Sequence, residues 1–388
     1  MSSIVQTLNL RPDGTFLETG IFLDLGGVER AWRRAWMQSI GALSAGERVA
    51  HIPDWDARPW SVLYLRTQGI GDVILATGVF RAIACSHSTI SLDVVTTRAA
   101  APVLDDNPHV RRVIATGKSI AESASLASAM RRSSYDVVID GKITRGASFV
   151  RSPTLTMLSR APYRIGVGGG NHHLVYNICV PRYDRSKTHM VRGSAALAAP
   201  FGVDLETTNF RPEIFLRAEE CARATRAWEA AGGVRSTNGT RWLVNLSAGA
   251  RVRRWPDERW IALISHLRAR EPDATIAVMA VEAERDSVQR VALASGAAAV
   301  SAPRLRDALA MVDTSERVIT SNTSITHAAS AFRVPTVLLL ERGEDQWGSW
   351  CTPSEVAYWD GSSVDSLDVE TARAALGRLL ASDPSASS

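Results

Sequence analysis

The first residue pattern that could do chemistry is the loop at residues 66–72, which reads Arg-Thr-Gln-Gly-Ile-Gly-Asp. It begins like the glycine-rich fingerprint of dinucleotide-binding proteins, but Ile74 occupies the position of the third glycine. Asp72 would also occupy the helix N-terminal N–H groups that bind a pyrophosphate, which disfavours an NAD-dependent dehydrogenase. Two interpretations remain open for Asp72: a general base held at a ligand cleft, or an ordinary helix N-cap.

A second loop, residues 245–256, combines small residues with three arginines. The small residues Ser247 and Gly249 would let backbone N–H groups approach a phosphate, and the guanidinium group of Arg253 would neutralise it. The alternative is an exposed arginine-rich turn. All but three of the 44 basic residues in this chain are arginines, so a single arginine is weak support for a site.

A third loop, residues 321–329, again follows an apolar stretch and opens a helical one. The hydroxyl groups of Thr323 and Ser324, together with the free N–H groups of a helix N-terminus, predict a cradle for a diphosphate. His327 would lie about one turn into that helix. It is interpreted either as a packing or hydrogen-bonding residue or as part of the site.

Other polar residues near the predicted strand ends carry weaker signals. Glu282 could accept hydrogen bonds from a ribose diol, or it could be a solvated residue at a helix start. Lys142 and Arg145 could bind an anionic acceptor or pair with neighbouring groups. The adjacent His172 and His173 have no Cys, Asp or Glu beside them, so no metal site is predicted there.

Alternating strands and helices must position these loops. The predicted strands are short runs rich in valine, isoleucine and leucine, as expected for parallel strands that are buried on both faces. They cover residues 61–66, 90–97, 110–116, 135–140, 241–247, 275–281, 317–321 and 335–340. Helical patterns such as residues 257–270 separate them. The sequence therefore predicts an α/β protein with doubly wound parallel sheets.

The 388 residues are enough for two such domains. The chain is predicted to begin with an N-terminal extension at 1–58, which holds an amphipathic stretch at about 28–43. An N-terminal domain at 59–205, a linker at 206–239 and a C-terminal domain at 240–381 follow. A disordered tail is predicted at 382–388. Two α/β domains that face each other form a cleft lined by the carboxyl ends of both sheets, where ligands bind.

Composition excludes several classes of protein. A charged fraction of 22% argues against wholesale disorder, and a net charge of +4 is too small to indicate a nucleic-acid binder. No apolar run approaches the roughly 18–20 residues of a membrane span, and the start of the chain does not resemble a signal peptide. The four scattered cysteines predict neither a zinc site nor a disulfide framework. We therefore expect a soluble cytoplasmic protein.

Taken in order over about residues 61–350, these motifs resemble glycosyltransferase family 9, the ADP-heptose:lipopolysaccharide heptosyltransferases. The matching stretches are 65–77 (arginine, a short linker, then Ile-Gly-Asp-Val), 140–141 (Asp-Gly), 164–166 (Arg-Ile-Gly), His189 before a helix, 253–260 (Arg-Arg-Trp-Pro-Asp-Glu-Arg-Trp) and 323–329 (a Thr-x-x-x-His-Ala-Ala core). The resemblance implies a GT-B fold, in which two Rossmann-like domains face each other across a cleft. It also implies an inverting transferase that needs no metal or cofactor.

The resemblance assigns roles to the candidate residues. Asp72 would be the general base, and Gly71, Lys142 and Arg145 would lie on the acceptor side. The donor set would be Ser247, Gly249, Arg253, Glu282, Asn322, Thr323, Ser324, Ile325 and His327. In this set Glu282 would hold the ribose, while 323–325 would bind the diphosphate. The acceptor would be a glycan or glycolipid such as the lipopolysaccharide core, with peripheral contact at the inner membrane surface as an option.

The chain departs from the family pattern at three positions. Arg253 stands where the family usually has lysine, Asn322 where it has aspartate, and Ser324 where it has glycine. A guanidinium group differs from an ammonium group in shape and reach. ADP-heptose is the expected donor. The alternatives are another nucleotide sugar, a non-lipid acceptor, or a catalytically inactive relative that acts as a binding protein.

Overall fold

The computed structural model describes residues 4–6, 21–23, 35–36, 38–39, 51–143, 151–168, 174–184, 187–232, 240–361 and 363–382. Strands β1 (Ile4–Gln6) and β2 (Ile21–Leu23) form a small antiparallel pair. The predicted amphipathic stretch at 28–43 and the predicted tail fall largely outside the described residues. No helix in the described part of the chain is long and apolar enough to cross a bilayer.

The first half of the chain forms a six-stranded parallel sheet with the order β5-β4-β3-β6-β7-β8. Its strands are β3 (Trp60–Arg66), β4 (Ile90–Thr97), β5 (Arg112–Thr116), β6 (Val137–Asp140), β7 (Tyr163–Val167) and β8 (Ile178–Val180). The helices of this half are α1 (Ile70–Ser86), α2 (Ile120–Ser133), α3 (Arg151–Leu158) and α4 (Met190–Ala195). Consecutive apolar residues of β3, from Val62 to Leu65, are at most 1% exposed, because the sheet is covered on both faces.

The second half forms a six-stranded parallel sheet with the order β11-β10-β9-β12-β13-β14. Its strands are β9 (Arg241–Asn245), β10 (Thr275–Met279), β11 (Ala298–Ala299), β12 (Arg317–Ser321), β13 (Thr336–Glu341) and β14 (Ser354–Trp359). After α5 (Ala218–Ala230), the helices are α6 (Asp257–Arg270), α7 (Arg285–Ser295), α8 (Leu305–Asp313), α9 (Ser324–Phe332) and α10 (Val369–Ala381).

Each sheet has a switch point beside its first strand, because the chain adds strands on one side and then returns to the other. In the first sheet this point lies between β3 and β6, and in the second it lies between β9 and β12. Ligands of doubly wound sheets bind at such points, beyond the carboxyl ends of the strands. The loops after residues 66, 140, 245 and 321 therefore all lie where a ligand site is expected.

The predicted α/β class is confirmed. All eight predicted strands are present, with bounds that differ by two residues at most, and the helix predicted at 257–270 is α6. The predicted linker contains α5, which packs on the second half through the buried Trp228, whose indole N–H donates to Thr314 Oγ1 at 3.0 Å. The domain boundaries stay predictions.

The two halves share an apolar core in which α1 packs against α9. Every residue of α1 from Val73 to Phe80 is buried, although a helix that covers one sheet buries only one face. Its other faces contact α9 and the segment near Phe210, where a Cβ added at Gly78 would overlap the backbone. The N-terminus of α1 is therefore held against the second half of the molecule.

Candidate active site at the junction of two helices

Asp72 lies in the first turn of α1, where three hydrogen bonds hold it. Arg66 donates from Nη2 to Asp72 Oδ1 at 2.9 Å and from Nε to the Asp72 carbonyl oxygen at 3.0 Å. The N–H of Gly69 donates to Oδ2 at 3.1 Å. The side chain is nevertheless 22% exposed and lines a cleft. Both interpretations of Asp72 are thus compatible, since the same carboxylate caps the helix and faces the cleft.

Thr323 caps α9 on the opposite side of this cleft. Its hydroxyl oxygen accepts a hydrogen bond from the N–H of Ile325 at 3.3 Å. Behind it, Asn245 at the end of β9 donates to Thr320 Oγ1 at 2.9 Å, which joins the two strands of the switch point. The buried Ser321 Oγ has no hydrogen-bond partner among the described residues. Hydroxyl and N–H groups of this turn therefore face the place where a ligand would bind.

Gly71 brings the two helix N-termini together. A Cβ atom added at this position would lie 2.6 Å from Cδ2 of His327 and 3.6 Å from Cα of Ser324. Any side chain here would push α1 away from α9, so the close approach requires glycine. The N-terminus of α9 directs the positive end of its dipole towards the space between the helices, which favours an anionic ligand there. The N-terminus of α1 already holds the Asp72 carboxylate.

The space between these helices is the cleft, with an empty volume of about 610 Å³. Seven of the residues predicted from the sequence line it: Gly71, Asp72, Arg253, Asn322, Thr323, Ser324 and His327. The chain therefore brings together one carboxylate, one guanidinium group and the polar N-terminus of α9. Among the described residues no group of three or more His, Cys, Asp or Glu side chains is arranged to hold a metal ion.

His327 is buried at the base of the cleft. Desolvation lowers its pKa to about 3, with a further contribution from the nearby His189. Nδ1 of His327 is buried and has no hydrogen-bond partner among the described residues. The imidazole is therefore neutral at pH 7. It suits packing or hydrogen bonding better than charge neutralisation of a phosphate.

His189 joins the two halves beside this site. Its Nδ1 accepts the N–H of Val191 at 3.2 Å, so Nε2 carries the proton and donates to the carbonyl oxygen of Gly348 at 3.1 Å. The ring stacks on Trp350 with centroids 4.7 Å apart. Burial lowers the pKa of His189. This second neutral imidazole therefore acts as a contact between the halves.

The arginines of the 245–256 loop have different surroundings. Arg254 pairs with Glu284 at 2.6 Å, and burial raises the pKa of this carboxyl group in spite of the pairing. Arg253 lines the cleft and lies 4.0 Å from Glu341, the limit of an ion pair, with its side chain 34% exposed. Arg253 is therefore the arginine of this loop that a ligand in the cleft would meet.

Four predicted donor residues lie outside the lining of the cleft. Ser247 Oγ accepts the N–H of Val281 at 2.9 Å and thereby joins the loops after β9 and β10. Gly249 and Glu282 are exposed, and Glu282 lies 3.4 Å from Arg285. Ile325 is buried, and its N–H is used by the Thr323 cap.

The predicted acceptor side is described only in part. The buried Asp140 accepts the N–H of Lys142 at 2.9 Å and also the hydroxyl groups of Ser152 and Tyr176. Burial, and then the charge of Asp140, raises the pKa of Tyr176. Asp140 thus has a structural role, and Lys142 is half-buried beside it.

Arg145, the other predicted residue of the acceptor side, lies outside the described residues, as do the adjacent His172 and His173, for which no site is predicted. Arg164, from the Arg-Ile-Gly stretch, is buried and donates to the carbonyl oxygens of Val175 and Ala161. It holds the segments around Ala161 and Val175 against the start of β7 and is not in the lining of the cleft.

Glu344 and Trp347 also line the cleft and were not identified from the sequence. They follow β13, whose carboxyl end lies at the same edge of the sheet as that of β12. The sequence predicts this strand at 335–340, so its carboxyl end is the signal that could have identified both residues. Glu344 and Trp347 therefore place a carboxylate and an indole ring, groups that can contact a sugar, beside the groups that can bind a phosphate.

The sequence of the chain matches that of a known protein family. The sequence model of glycosyltransferase family 9 (heptosyltransferase) matches residues 123–347, more than half of the chain. The match includes Arg253 and the 321–329 loop, whereas the loop of Asp72 precedes it. No curated protein sequence matches the chain.

Three solved structures are similar in fold. A family 9 glycosyltransferase from Veillonella parvula has 18% identity and a TM-score of 0.72, with 86% of this chain and 99% of that one covered. ADP-heptose lps heptosyltransferase II from E. coli has 16% identity and a TM-score of 0.64, with 83% and 98% covered. E. coli heptosyltransferase WaaC, solved with ADP, has 17% identity and a TM-score of 0.64, with 82% and 99% covered.

At these identities the structures establish the GT-B arrangement of two parallel sheets and no more. Family membership rests on the match of the sequence model. On that match, the chain belongs to glycosyltransferase family 9.

Proposed function

We propose that this glycosyltransferase moves a sugar from a nucleoside-diphosphate donor to a hydroxyl group of a glycan or glycolipid, with Asp72 as the general base. The observation that carries the proposal is the position of Asp72, whose carboxylate shares one cleft with Arg253 and the N-terminus of α9. One wall can remove a proton and the other can bind a diphosphate.

The donor diphosphate is proposed to bind at the N-terminus of α9. Its negative charge would meet the helix dipole, the hydroxyl groups of Thr323 and Ser324, and the guanidinium group of Arg253. The same groups would stabilise the charge that develops on the diphosphate as it leaves. This arrangement needs no metal ion.

In the proposed reaction, an acceptor oxygen attacks the anomeric carbon of the sugar on the face opposite the diphosphate. Asp72 takes the proton from that hydroxyl as the new C–O bond forms. The bond between the anomeric carbon and the diphosphate oxygen breaks, and the diphosphate leaves with the electron pair. A single displacement of this kind inverts the anomeric configuration.

ADP-heptose is the donor we propose to test first, with a lipopolysaccharide core glycolipid as the acceptor at the cytoplasmic side of the membrane. The E. coli proteins of similar fold support this choice, since the name of one includes ADP-heptose and the other was solved with ADP. Asn322 argues for testing other sugars as well, because its amide can donate to a sugar oxygen where an aspartate only accepts.

The test is a thermal-shift panel with ADP, UDP, GDP and NAD at matched saturating concentrations. A ligand at about 100 times its dissociation constant stabilises a protein by roughly 2.7 kcal/mol, which moves the melting midpoint by several degrees. A shift with ADP alone supports the adenine-linked donor and leads to assays of ADP-heptose turnover. A shift with UDP or GDP would keep the transferase and replace the donor.

Two outcomes would contradict the proposal. A shift with none of the nucleoside diphosphates would remove the donor site. Binding of a nucleotide sugar without transfer to any glycan or glycolipid acceptor would instead favour a binding protein that has lost the reaction.

A further inference from the structure

Arg66 is a buried cation at the carboxyl end of β3. It is 1% exposed, although a guanidinium group loses strong hydration when it is buried. Such a residue is retained in a fold only when its N–H groups find partners of the right geometry. The partners of Arg66 therefore indicate what the residue does.

The guanidinium group joins two loops at the switch point of the first sheet. Nε and Nη2 donate to the main chain and the side chain of Asp72, at 3.0 and 2.9 Å. Nη1 donates to the carbonyl oxygen of Gly141, in the loop after β6. Arg66 thus connects the proposed base with the loop that carries Lys142.

Gly141 must be a glycine for this connection to form. A Cβ atom at this position would overlap the ring of Tyr64 and would lie 2.7 Å from the carbonyl oxygen of Leu65. The N–H of Gly141 donates to that same carbonyl oxygen at 3.0 Å, which fixes the loop against β3. The Gly141 carbonyl is then held in position for Arg66.

The bonds of Arg66 orient the carboxylate of Asp72. Oδ1 is paired with the guanidinium group, whereas among the described residues Oδ2 accepts the N–H of Gly69 alone, at 3.1 Å. One rigid planar group bonds both the side chain and the main chain of Asp72, so it restricts rotation of the carboxylate. The direction from which Asp72 meets an acceptor hydroxyl is therefore set from β3.

We propose that Arg66 is a positioning residue for this reaction, acting through Asp72 and holding the Gly141 loop in register with it. This inference rests on the proposed role of Asp72 as the general base. Lysine cannot replace Arg66, because a single ammonium nitrogen does not reach Asp72 Oδ1, the Asp72 carbonyl and the Gly141 carbonyl together.

The experiment compares Arg66→Lys, Asp72→Asn and the double variant, with Arg241→Lys as the matched control. Arg241 is another buried, ion-paired arginine, located at the start of β9 and paired with Glu316 at 3.1 Å. For each variant the measurements are kcat with saturating donor and acceptor, the dissociation constant of the nucleoside diphosphate, and the melting temperature.

We expect Arg66→Lys to lower kcat at least tenfold while the dissociation constant of the nucleoside diphosphate changes less than twofold. In the Asp72→Asn background the same substitution should change kcat less than twofold, because the residue through which Arg66 acts has already been removed. Arg241→Lys should lower the melting temperature and leave kcat within twofold.

Three results would overturn the positioning role: an unchanged kcat, an equal loss of kcat in both backgrounds, or a failure of both Arg66→Lys and a second variant, Arg66→Gln, to fold. The last would assign Arg66 to the fold alone. If Asp72→Asn itself left kcat unchanged, the proposed function of Asp72 would fail first, and the role of Arg66 would fail with it.

Discussion

The two switch points of this molecule have the same topology and differ in how their polar groups are satisfied. After β3, Arg66 and Asp72 are bonded to each other and to neighbouring backbone groups. At the second switch point Arg253, after β9, lines the cleft and lies 4.0 Å from Glu341, the limit of an ion pair. The Asp72 carboxylate is thus held by bonds within the protein, whereas the guanidinium group of Arg253 is left for a ligand to pair with.

This difference suggests a division of work between the two sheets. In the proposed function, a group that transfers a proton must be held in one orientation before substrate arrives, and the bonds from Arg66 and Gly69 hold Asp72 in this way. A site that binds and releases a nucleotide gains affinity by leaving donors open. Substitutions on the two sides should therefore affect different kinetic constants.

The largest effect is expected from Asp72→Asn, which keeps the shape of the side chain and removes its ability to accept a proton. We expect kcat to fall about a hundredfold or more, with the donor dissociation constant nearly unchanged. Steady-state rates and nucleotide binding measured on the same preparation test this. The reverse pattern, with activity lost in Glu344→Gln and kept in Asp72→Asn, would move the base to the other carboxylate of the cleft.

Arg253→Ala should affect binding rather than chemistry. The loss of a hydrogen bond to a charged group costs about 1.5–3 kcal/mol, so the donor dissociation constant should rise roughly 10- to 100-fold. Calorimetric titration with the nucleoside diphosphate measures it, and the exposed Arg251→Ala is the matched control from the same loop. Equal affinity in both variants would assign Arg253 to the surface.

A smaller effect is expected on the pH dependence of the free energy of unfolding, through His327 beside Gly71. His327 has a pKa of about 3 in the folded protein and about 6.5 when unfolded, so the unfolded chain binds more protons between these values. The free energy of unfolding should therefore fall as the pH is lowered, by about 2 kcal/mol between pH 6.5 and pH 5. Burial of His189 acts in the same direction.

Denaturant titrations at pH 7, 6 and 5 measure this loss. His327→Gln should reduce the slope of the unfolding free energy against pH, by close to the amount that corresponds to one proton taken up on unfolding. The same substitution at the exposed His51 should leave this slope unchanged. Equal pH dependence in the two variants would contradict a buried neutral imidazole at the junction.

Local sequence patterns predicted most of the sheets, because buried parallel strands are apolar runs. Four strands of the two sheets were not predicted. The strands β8 and β11, of three and two residues, are too brief to form such a pattern, and β7 and β14 contain charged residues or glycine instead of an unbroken apolar run. The cleft was predicted in outline from loops at strand ends. The burial of His327 agrees with its interpretation as a packing residue, but the sequence does not show that α1 of the other half covers it. Nor does the sequence reveal that Arg66 turns towards Asp72.

The contact of Gly71 with His327 has a consequence for how members of this family can be recombined. Chimeric enzymes would join the first half of one transferase to the second half of another. In this protein the two halves meet through a glycine fitted against an imidazole ring. A second half that brings a larger side chain to position 327 would misplace Asp72 even if both halves fold normally, so the crossover must carry residues 71 and 327 as a matched pair.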